Sequence, residues 1–152
     1  MISIKIALAS AAAALGLALA GQATAETAQE KANIRTAEAF YDAAINAKDF
    51  DKAKAYLGDR YVQHNPQAQD GPDGLKGYIA FLRAKFPNQH NEFLRAFADG
   101  DYVIVHVHSV QTPGTLGRAI VDIFKLEKGK VVEHWDVIQD VPEKPANTNT
   151  MF

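Results

Sequence analysis

The hydrophobic period of this chain changes once, near Asn91, and that change limits the folds open to it. Before Asn91, apolar residues recur every three or four positions, which is the spacing of amphipathic helices. After it, apolar and polar residues alternate, which is the spacing of strands with one buried face. Helices followed by a run of strands predict an α+β fold, with a cone-shaped curved antiparallel sheet packed against three helices.

Turn and capping residues divide the chain into elements. Thr27 and Glu30 fit a capping box, which predicts a helix over 27–47. Two further helices are predicted over 50–57 and 72–86. The predicted strands lie at 61–64, 93–98, 102–111, 118–126 and 131–140. Helices that cover the mouth of a curved sheet leave a cavity suited to a small ligand.

The first 25 residues have the pattern of a secretory signal peptide. Lys5 supplies a positive charge, residues 6–20 are almost wholly apolar, and Ala23-Thr24-Ala25 matches a cleavage site. We expect cleavage after Ala25, which leaves one domain over 26–152 in the periplasm or outside the cell. The apolar stretch is shorter than the ~20 residues that a membrane-spanning helix needs, so we expect no stable membrane insertion after processing.

Composition argues against several classes of function. The formal net charge is −2, which gives no support to nucleic acid as a partner. The chain has no cysteine, which excludes disulfides and thiolate chemistry. A domain over 26–152 is long enough to bury a core without disulfides.

Asp122 is the residue that most directly indicates a catalytic function. It lies in the middle of an apolar, β-branched strand, where an unpaired charge costs several kcal/mol or its pKa rises. The next strand carries His134 and Asp136 as titratable neighbours. Such a group in an apolar cavity predicts proton transfer, with Asp122, His134 and Asp136 as catalytic residues. The alternative is a structural pair that ties two strands together.

The register of the last two strands follows from the turn between them. A three-residue loop over 127–129, with Gly129 as a bulge, pairs Asp122 directly with His134 and puts Asp136 on the same face. A two-residue turn would instead place Asp122 opposite Trp135. We favour the three-residue loop, because a type I′ turn prefers Asn or Asp before its Gly. In that register Trp135 points away from Asp122 and serves packing or a dimer face.

Other polar and aromatic side chains are candidates for substrate binding. His106 and His108 share one face of their strand, and an H-x-H pair can bind metal in a cupin-like site. Neither a carboxylate nor a third histidine follows at short spacing, so we expect no metal and no other cofactor. We expect both histidines to line the pocket, the alternative being a solvated sheet face. The remaining candidates for substrate binding are Tyr41, His64, Asn65 and Phe124.

Three stretches carry a resemblance to a known family: 59–66, 121–124 and 133–139. In order and spacing they resemble the SnoaL-like group of the nuclear transport factor 2-like superfamily. The closing stretch 147–152 resembles the ending of a subgroup predicted to catalyse aldol condensation. The resemblance covers nearly all of 26–152 and implies an α+β cone, a homodimer and a cavity between sheet and helices.

The resemblance also implies an activity. The polyketide cyclases of this family close a ring by an aldol step, with an acidic residue as acid and base and without cofactor or metal. That role falls on Asp122, with His134 and Asp136 beside it, while the related limonene epoxide hydrolases use an Asp near the position of Asp136. We expect an exported lyase or isomerase that moves a proton next to the carbonyl of a small apolar ligand. The alternative is a non-catalytic binding domain with the same cavity.

Overall fold

The computed structural model describes residues 25–152, so the predicted signal peptide over 1–25 lies outside the described residues except for Ala25. The helical elements are α1 (Ala28–Tyr41), a π-helical turn (Asp42–Asn46) that continues it, α2 (Phe50–Lys54) and α3 (Gly71–Lys85). The strands are β1 (Leu57–Gln63), β2 (His90–Asp99), β3 (Tyr102–Val110), β4 (Arg118–Glu127) and β5 (Lys130–Asp140). Within residues 25–152, no helix combines the length and hydrophobicity needed to cross a bilayer.

The five strands form one sheet in the order β1-β5-β4-β3-β2. Strands β2 to β5 pair as the predicted antiparallel meander. Strand β1 adds to the free edge of β5 in parallel, which brings the end of β1 beside the middle of β5. The predicted α+β fold, a curved sheet with three helices, is confirmed.

The capping box at the start of α1 is confirmed. The Thr27 hydroxyl accepts from the Glu30 amide, and the Glu30 carboxylate accepts from the Thr27 amide at 2.7 Å. The helix predicted over 27–47 loses α-helical geometry after Tyr41, where the π-helical turn begins. The helix predicted over 50–57 ends at Lys54, because the chain enters the sheet at Leu57.

The core lies between the helices and one face of the sheet. Val103, Val105 and Val107 of β3 are fully buried on this inner face. Phe40 of α1 packs edge-on against Phe124 of β4, with ring centroids 5.9 Å apart. Alternation along each strand therefore decides which side chains face the helices and which face outward.

The turn between β4 and β5 differs from the predicted loop. It contains only Lys128 and Gly129, whose φ angles of 52° and 72° are both in the left-handed region. Glu127 consequently pairs with Lys130, and the extra residue is Val132, which forms a bulge in β5. The preference of type I′ turns for Asn or Asp is overridden here, since Lys128 itself adopts the left-handed conformation.

The bulge changes the pairing at the predicted site but not its face. Asp122 lies opposite Asp136, and Phe124 lies opposite His134, so the predicted direct pairing of Asp122 with His134 is wrong. The alternative partner, Trp135, pairs with Ile123 instead. The shorter turn and the bulge each shift the pairing by one residue, so the total shift is two and the side-chain alternation is unchanged. Asp122, His134 and Asp136 still share the inner face.

Candidate active site

Asp122 lies on the inner face of β4, opposite the fully buried Val105 of β3. Its exposed fraction is 3%. Its Oδ1 lies 2.9 Å from Nε2 of His134, while Oδ2 is buried and has no hydrogen-bond partner among the described residues. Burial raises the pKa of the Asp122 carboxyl, and the hydrogen bond from His134 acts in the opposite direction.

Gln63 fixes the proton on the other nitrogen of His134. Its Oε1 accepts from the backbone amide of Asn65 at 2.9 Å, and its Nε2 donates to the Tyr61 hydroxyl. The same Oε1 lies 3.1 Å from Nδ1 of His134, so Nδ1 must carry a proton to donate. The bond between Nε2 and Asp122 then needs one further proton. The imidazole and the carboxyl share it, either as an ion pair or as two neutral groups.

Asp136 is held by a different side chain. Nδ2 of Asn65 lies 2.7 Å from Oδ1 of Asp136 and 2.8 Å from its Oδ2. The chain beyond β1 alternates, so that Gln63 and Asn65 point to the inner face and His64 points outward. Asn65 therefore lies at the site, where it borders the outer pocket and also contacts Asp136, a predicted catalytic residue.

His64 does not line the pocket as predicted. Its ring stacks on Trp135 with the centroids 4.2 Å apart and the planes 5° from parallel. Its Nε2 lies 3.3 Å from a Glu133 oxygen on the outer face of β5. The prediction that Trp135 points away from Asp122 is confirmed, because the two lie on opposite faces of the hairpin.

His106 and His108 also lie on the outer face, so they do not line the pocket as predicted. They pair with Val121 and Ala119 of β4. Both of these residues are an odd number of positions from Asp122, so their side chains point to the opposite face of the sheet. The ring of Phe152 packs against both, 4.2 Å from His108 and 5.8 Å from His106. These side chains provide a surface for the end of the chain rather than a ligand site.

The cavity over Asp122 has two parts, which share lining residues such as Tyr78, Arg118 and His134. An inner chamber of about 60 Å³ lies between the helices and the sheet, and a wider outer pocket of about 590 Å³ opens beside α3. Asp122 borders only the inner chamber, whereas His134 and Asp136 border both. Tyr41 and Phe124 line the inner chamber, which is consistent with their prediction as ligand contacts.

Three tyrosines surround the inner chamber: Tyr41, Tyr61 and Tyr78. Burial raises the pKa of each hydroxyl, and the negative charge of Asp122 adds to the effect. All three are therefore neutral at physiological pH and keep a proton to donate. Neutral donors beside a carboxylate suit a reaction in which negative charge develops on a substrate oxygen.

Several residues of this site were not predicted from the sequence. Gln63, Tyr61, Tyr78 and Arg118 all border the inner chamber. Arg118 lies four residues before Asp122 in the same strand, so strand alternation alone would have put both on one face. Gln63 becomes recognisable only once the parallel pairing of β1 with β5 is known.

Asp122, His134 and Asp136 also form a possible metal-ligand set. One ligand atom from each lies within 4.8 Å of the others. The same atoms, however, already bond to protein groups: His134 to Asp122, and Asp136 to Asn65. The donor set therefore suits a shared proton in this arrangement.

Comparison with known proteins connects this geometry to a family. A family model described as a SnoaL-like domain matches residues 37–134, which include Asp122 and His134. A comparison with curated proteins finds no match.

Solved structures share the fold. A candidate SnoaL-like polyketide cyclase from Jannaschia sp. CCS1 is 21% identical, with a TM-score of 0.63 over 76% of this chain and 90% of that one. An NTF-2-like protein of unknown function from Burkholderia xenovorans LB400 is 23% identical, with a TM-score of 0.62 over 78% and 91%. An LEH-like epoxide hydrolase from M. tuberculosis is 23% identical, with a TM-score of 0.61 over 73% and 85%. At these identities the likeness establishes the fold alone. Since the family model covers more than half of the chain, this protein belongs to the SnoaL-like family.

Proposed function

We propose that this protein is a cofactor-free enzyme of lyase or isomerase type, which moves a proton at the carbon next to a carbonyl group. The observation that carries the proposal is Oδ2 of Asp122, which is buried and accepts no hydrogen bond from the described residues, in a side chain that borders the inner chamber. Buried polar atoms are rarely left without a partner unless a ligand or a reaction uses them.

The proposed chemistry uses both oxygens of Asp122. In the ion-paired form, Nε2–H of His134 donates to Oδ1, and Oδ2 is free to remove the proton from the substrate carbon. The substrate carbonyl becomes an enolate, whose negative oxygen a neutral tyrosine hydroxyl such as that of Tyr41 can stabilise. In an isomerisation, the proton on Asp122 then returns to another carbon of the enolate. In an aldol step, the enolate carbon attacks a second carbonyl carbon of the substrate, and the proton goes to the alkoxide that forms as that C=O π bond breaks.

Asp122 is a better base than Asp136 in this arrangement. Both oxygens of Asp136 accept from Asn65, and its side chain faces the outer pocket as well as the inner one. Asp122 has one oxygen without a partner and lies deeper. We assign Asp136 an electrostatic role beside the Asp122–His134 pair, and Asn65 the role of holding the Asp136 carboxylate in place.

Deuterium exchange tests the proposal without knowledge of the natural substrate. A panel of linear and cyclic ketones is incubated with the protein in D₂O, and incorporation at the carbon next to the carbonyl is followed by NMR. We expect exchange with wild type and with Asp101→Asn, an exposed carboxylate outside the site, and loss of exchange in Asp122→Asn. Binding without exchange in wild type would favour the ligand-binding alternative. Loss of exchange on chelation, with copurified metal, would favour a metal enzyme.

We also propose that the protein is exported and acts as a homodimer. Export rests on the signal pattern of residues 1–25. Dimerisation rests on the outer face of the sheet, where Phe97, Ile104, Val121 and Val137 are all exposed although apolar. The size of the mature chain in a periplasmic or culture fraction, read by mass spectrometry, tests cleavage after Ala25.

A further inference from the structure

Arg118 is a cation in the cavity that the proposed chemistry does not use. It begins β4, directly after Gly117, whose φ of 76° and close approach to the Ser109 carbonyl exclude a side chain at that position. This turn sets the phase of β4, so that Arg118 shares the inner face with Asp122. Its Nε is buried and has no hydrogen-bond partner within residues 25–152.

The guanidinium lies where the two parts of the cavity meet. Arg118 borders both the inner chamber and the outer pocket, whereas Asp122 borders the inner chamber only. Its positive charge acts on the hydroxyls of Tyr41 and Tyr78, whose pKa values it lowers against the raising effect of burial. Arg118 and Asp122 thus lie at opposite ends of the cavity, and their Cα atoms are about 13 Å apart along the strand.

Neighbouring protein groups do not neutralise Arg118. Asp140 pairs with it across β5 but is exposed and forms no ion pair with it among the described residues. Asp136 borders the same outer pocket, but its oxygens are engaged by Asn65. Gln89 borders the inner chamber, and its Oε1, which is buried and has no partner among the described residues, is a competing acceptor.

We propose that Arg118 binds a carboxylate of the substrate, so that the substrate class is a small keto acid rather than a neutral apolar ketone. The inference rests on the proposed function, since it fixes where the ketone of such a ligand lies. The inner chamber of about 60 Å³ is too small for a whole ligand, because a cavity of ~150 Å³ is what benzene occupies. The reacting end enters the inner chamber beside Asp122, and the carboxylate stays at the junction on Arg118.

The geometry of the guanidinium suits this role. Arginine presents several N–H donors in one plane, which matches the two oxygens of a carboxylate. A carboxylate there would give Nε a partner and place a negative charge beside the only arginine or lysine that borders the cavity among the described residues. It would also orient the ligand, since the other end of the chamber carries the acidic Asp122.

Matched acids and amides test the inference. The probes are 4-oxopentanoate and 5-oxohexanoate, each compared with its primary amide, which has the same shape and no charge. Binding to the mature protein, residues 26–152, is followed through the ¹⁵N–¹H resonance of Arg118 Nε. This resonance is assigned by its loss in Arg118→Gln. We expect each acid to bind at least about tenfold tighter than its amide, in line with a charge-assisted hydrogen bond. The acid should also shift the Nε resonance.

Variants separate this inference from the proposed function. Arg118→Gln should reduce the acid preference to less than about twofold, and Arg118→Lys should retain part of it, because the charge remains while the planar donors are lost. Arg95→Gln, which removes an exposed positive charge from the opposite face of the sheet, should leave the preference unchanged. Asp122→Asn should abolish deuterium exchange and keep the preference.

Two results would overturn the role of Arg118. The first is equal binding of acid and amide by wild type, with an Nε resonance that neither probe moves, as expected if Gln89 is its partner. The second is an acid preference that survives in Arg118→Gln. An intact acid preference without any deuterium exchange in wild type would contradict the proposed function and leave the carboxylate site standing.

Discussion

Nε2 of His134 lies 2.9 Å from Oδ1 of Asp122 even though the two residues do not pair directly across the hairpin. The bulge at Val132 makes them diagonal neighbours, and Asp136 takes the position opposite Asp122. The diagonal contact uses Oδ1 of Asp122 and leaves Oδ2 without a partner among the described residues, whereas Nδ1 of His134 is engaged by Gln63. The Asp122 carboxyl therefore has one oxygen in a hydrogen bond with His134 and one oxygen without a partner among the described residues.

Asp122→Asn should abolish turnover without weakening the fold. Asparagine can occupy the same space and donate to Nε2 of His134, but it cannot take up a proton, so we expect a loss of roughly 10²–10⁴ in rate. The pKa of the Asp122 carboxyl is raised from its ordinary value of 3.8 by burial. A raised pKa costs the folded state stability as the pH rises above 3.8, because ionisation is easier in the unfolded chain.

Urea denaturation at two pH values checks the stability part of this prediction. At pH 7 the free energy of unfolding of Asp122→Asn should equal or exceed that of wild type. Near pH 3 the two proteins should be equally stable, because the Asp122 carboxyl is neutral there in both states. A variant less stable than wild type at pH 7 would mean that the Asp122–His134 pair is structural.

Gln63→Leu should lower turnover by about 10- to 100-fold, because partners behind a functional histidine set its tautomer and orientation. Without Oε1 of Gln63, nothing holds the proton on Nδ1, so a neutral His134 can carry its one proton on Nε2 instead. The ¹⁵N shifts of the His134 ring report this tautomer directly. Gln139→Leu, on the outer face of β5, is the matched control and should change neither. Unchanged ring shifts in Gln63→Leu would contradict the role of Gln63.

Alternation and capping predicted most of the fold. The change of period near Asn91 separates the helices from the four antiparallel strands correctly, although β1 precedes it, and the capping box fixes the start of α1. Asp122, His134 and Asp136 share one face as predicted, although the three-residue loop behind that prediction does not form. The two-residue turn shifts the pairing by one residue and the bulge at Val132 shifts it by one more, and a shift of two residues keeps each side chain on its face.

Contacts between distant segments escaped prediction. The sequence predicts His106 and His108 in the pocket, because strand alternation separates two faces without showing which one is inner. It also predicts both His64 and Asn65 as substrate-binding residues, although they lie on opposite faces where β1 meets β5. Only the parallel pairing of β1, made by residues about 70 positions apart, brings Gln63 to His134.

Glu133→Gln should make the fold less stable at pH 7 and less sensitive to acid. Hydrogen bonds from Lys125 and Arg60 lower the pKa of the Glu133 carboxyl from 4.5 to about 2. A lowered pKa stabilises the folded state above pH 4.5, and this stabilisation is lost as the pH falls from 4.5 towards 2. We expect a loss of about 1 kcal/mol at pH 7, because the group keeps some contact with solvent that screens the pair.

Thermal or urea unfolding between pH 2 and pH 7 checks this prediction. The difference between wild type and Glu133→Gln should shrink steadily below pH 4.5. Glu127→Gln is the matched control, since Glu127 bonds only to Arg60 and its side chain is 44% exposed, so its effect should be smaller. Equal effects of the two substitutions at every pH would contradict the stronger role of Glu133.

Val137→Lys should convert a dimer into a monomer. Val137 is 69% exposed on the outer face of the sheet, beside Val121 with 38% and in the same surface as Phe97 with 56%. An apolar surface of this kind on a β-sheet is usually covered by a partner, and a lysine in its centre adds a charge that the interface cannot solvate. Trp135, the only tryptophan of the chain, lies on the same face and reports its burial by fluorescence.

Light scattering at micromolar concentration measures the result. Wild type should have twice the mass of the chain, and Val137→Lys should have the mass of one chain with a red-shifted Trp135 emission. Ala80→Lys adds the same charge on the exposed side of α3, away from the sheet, and should remain dimeric. A wild-type protein with the mass of one chain would refute the dimer. The exposed apolar face would then serve another partner, and the cavity, which lies wholly on the opposite face, would still be complete within one chain.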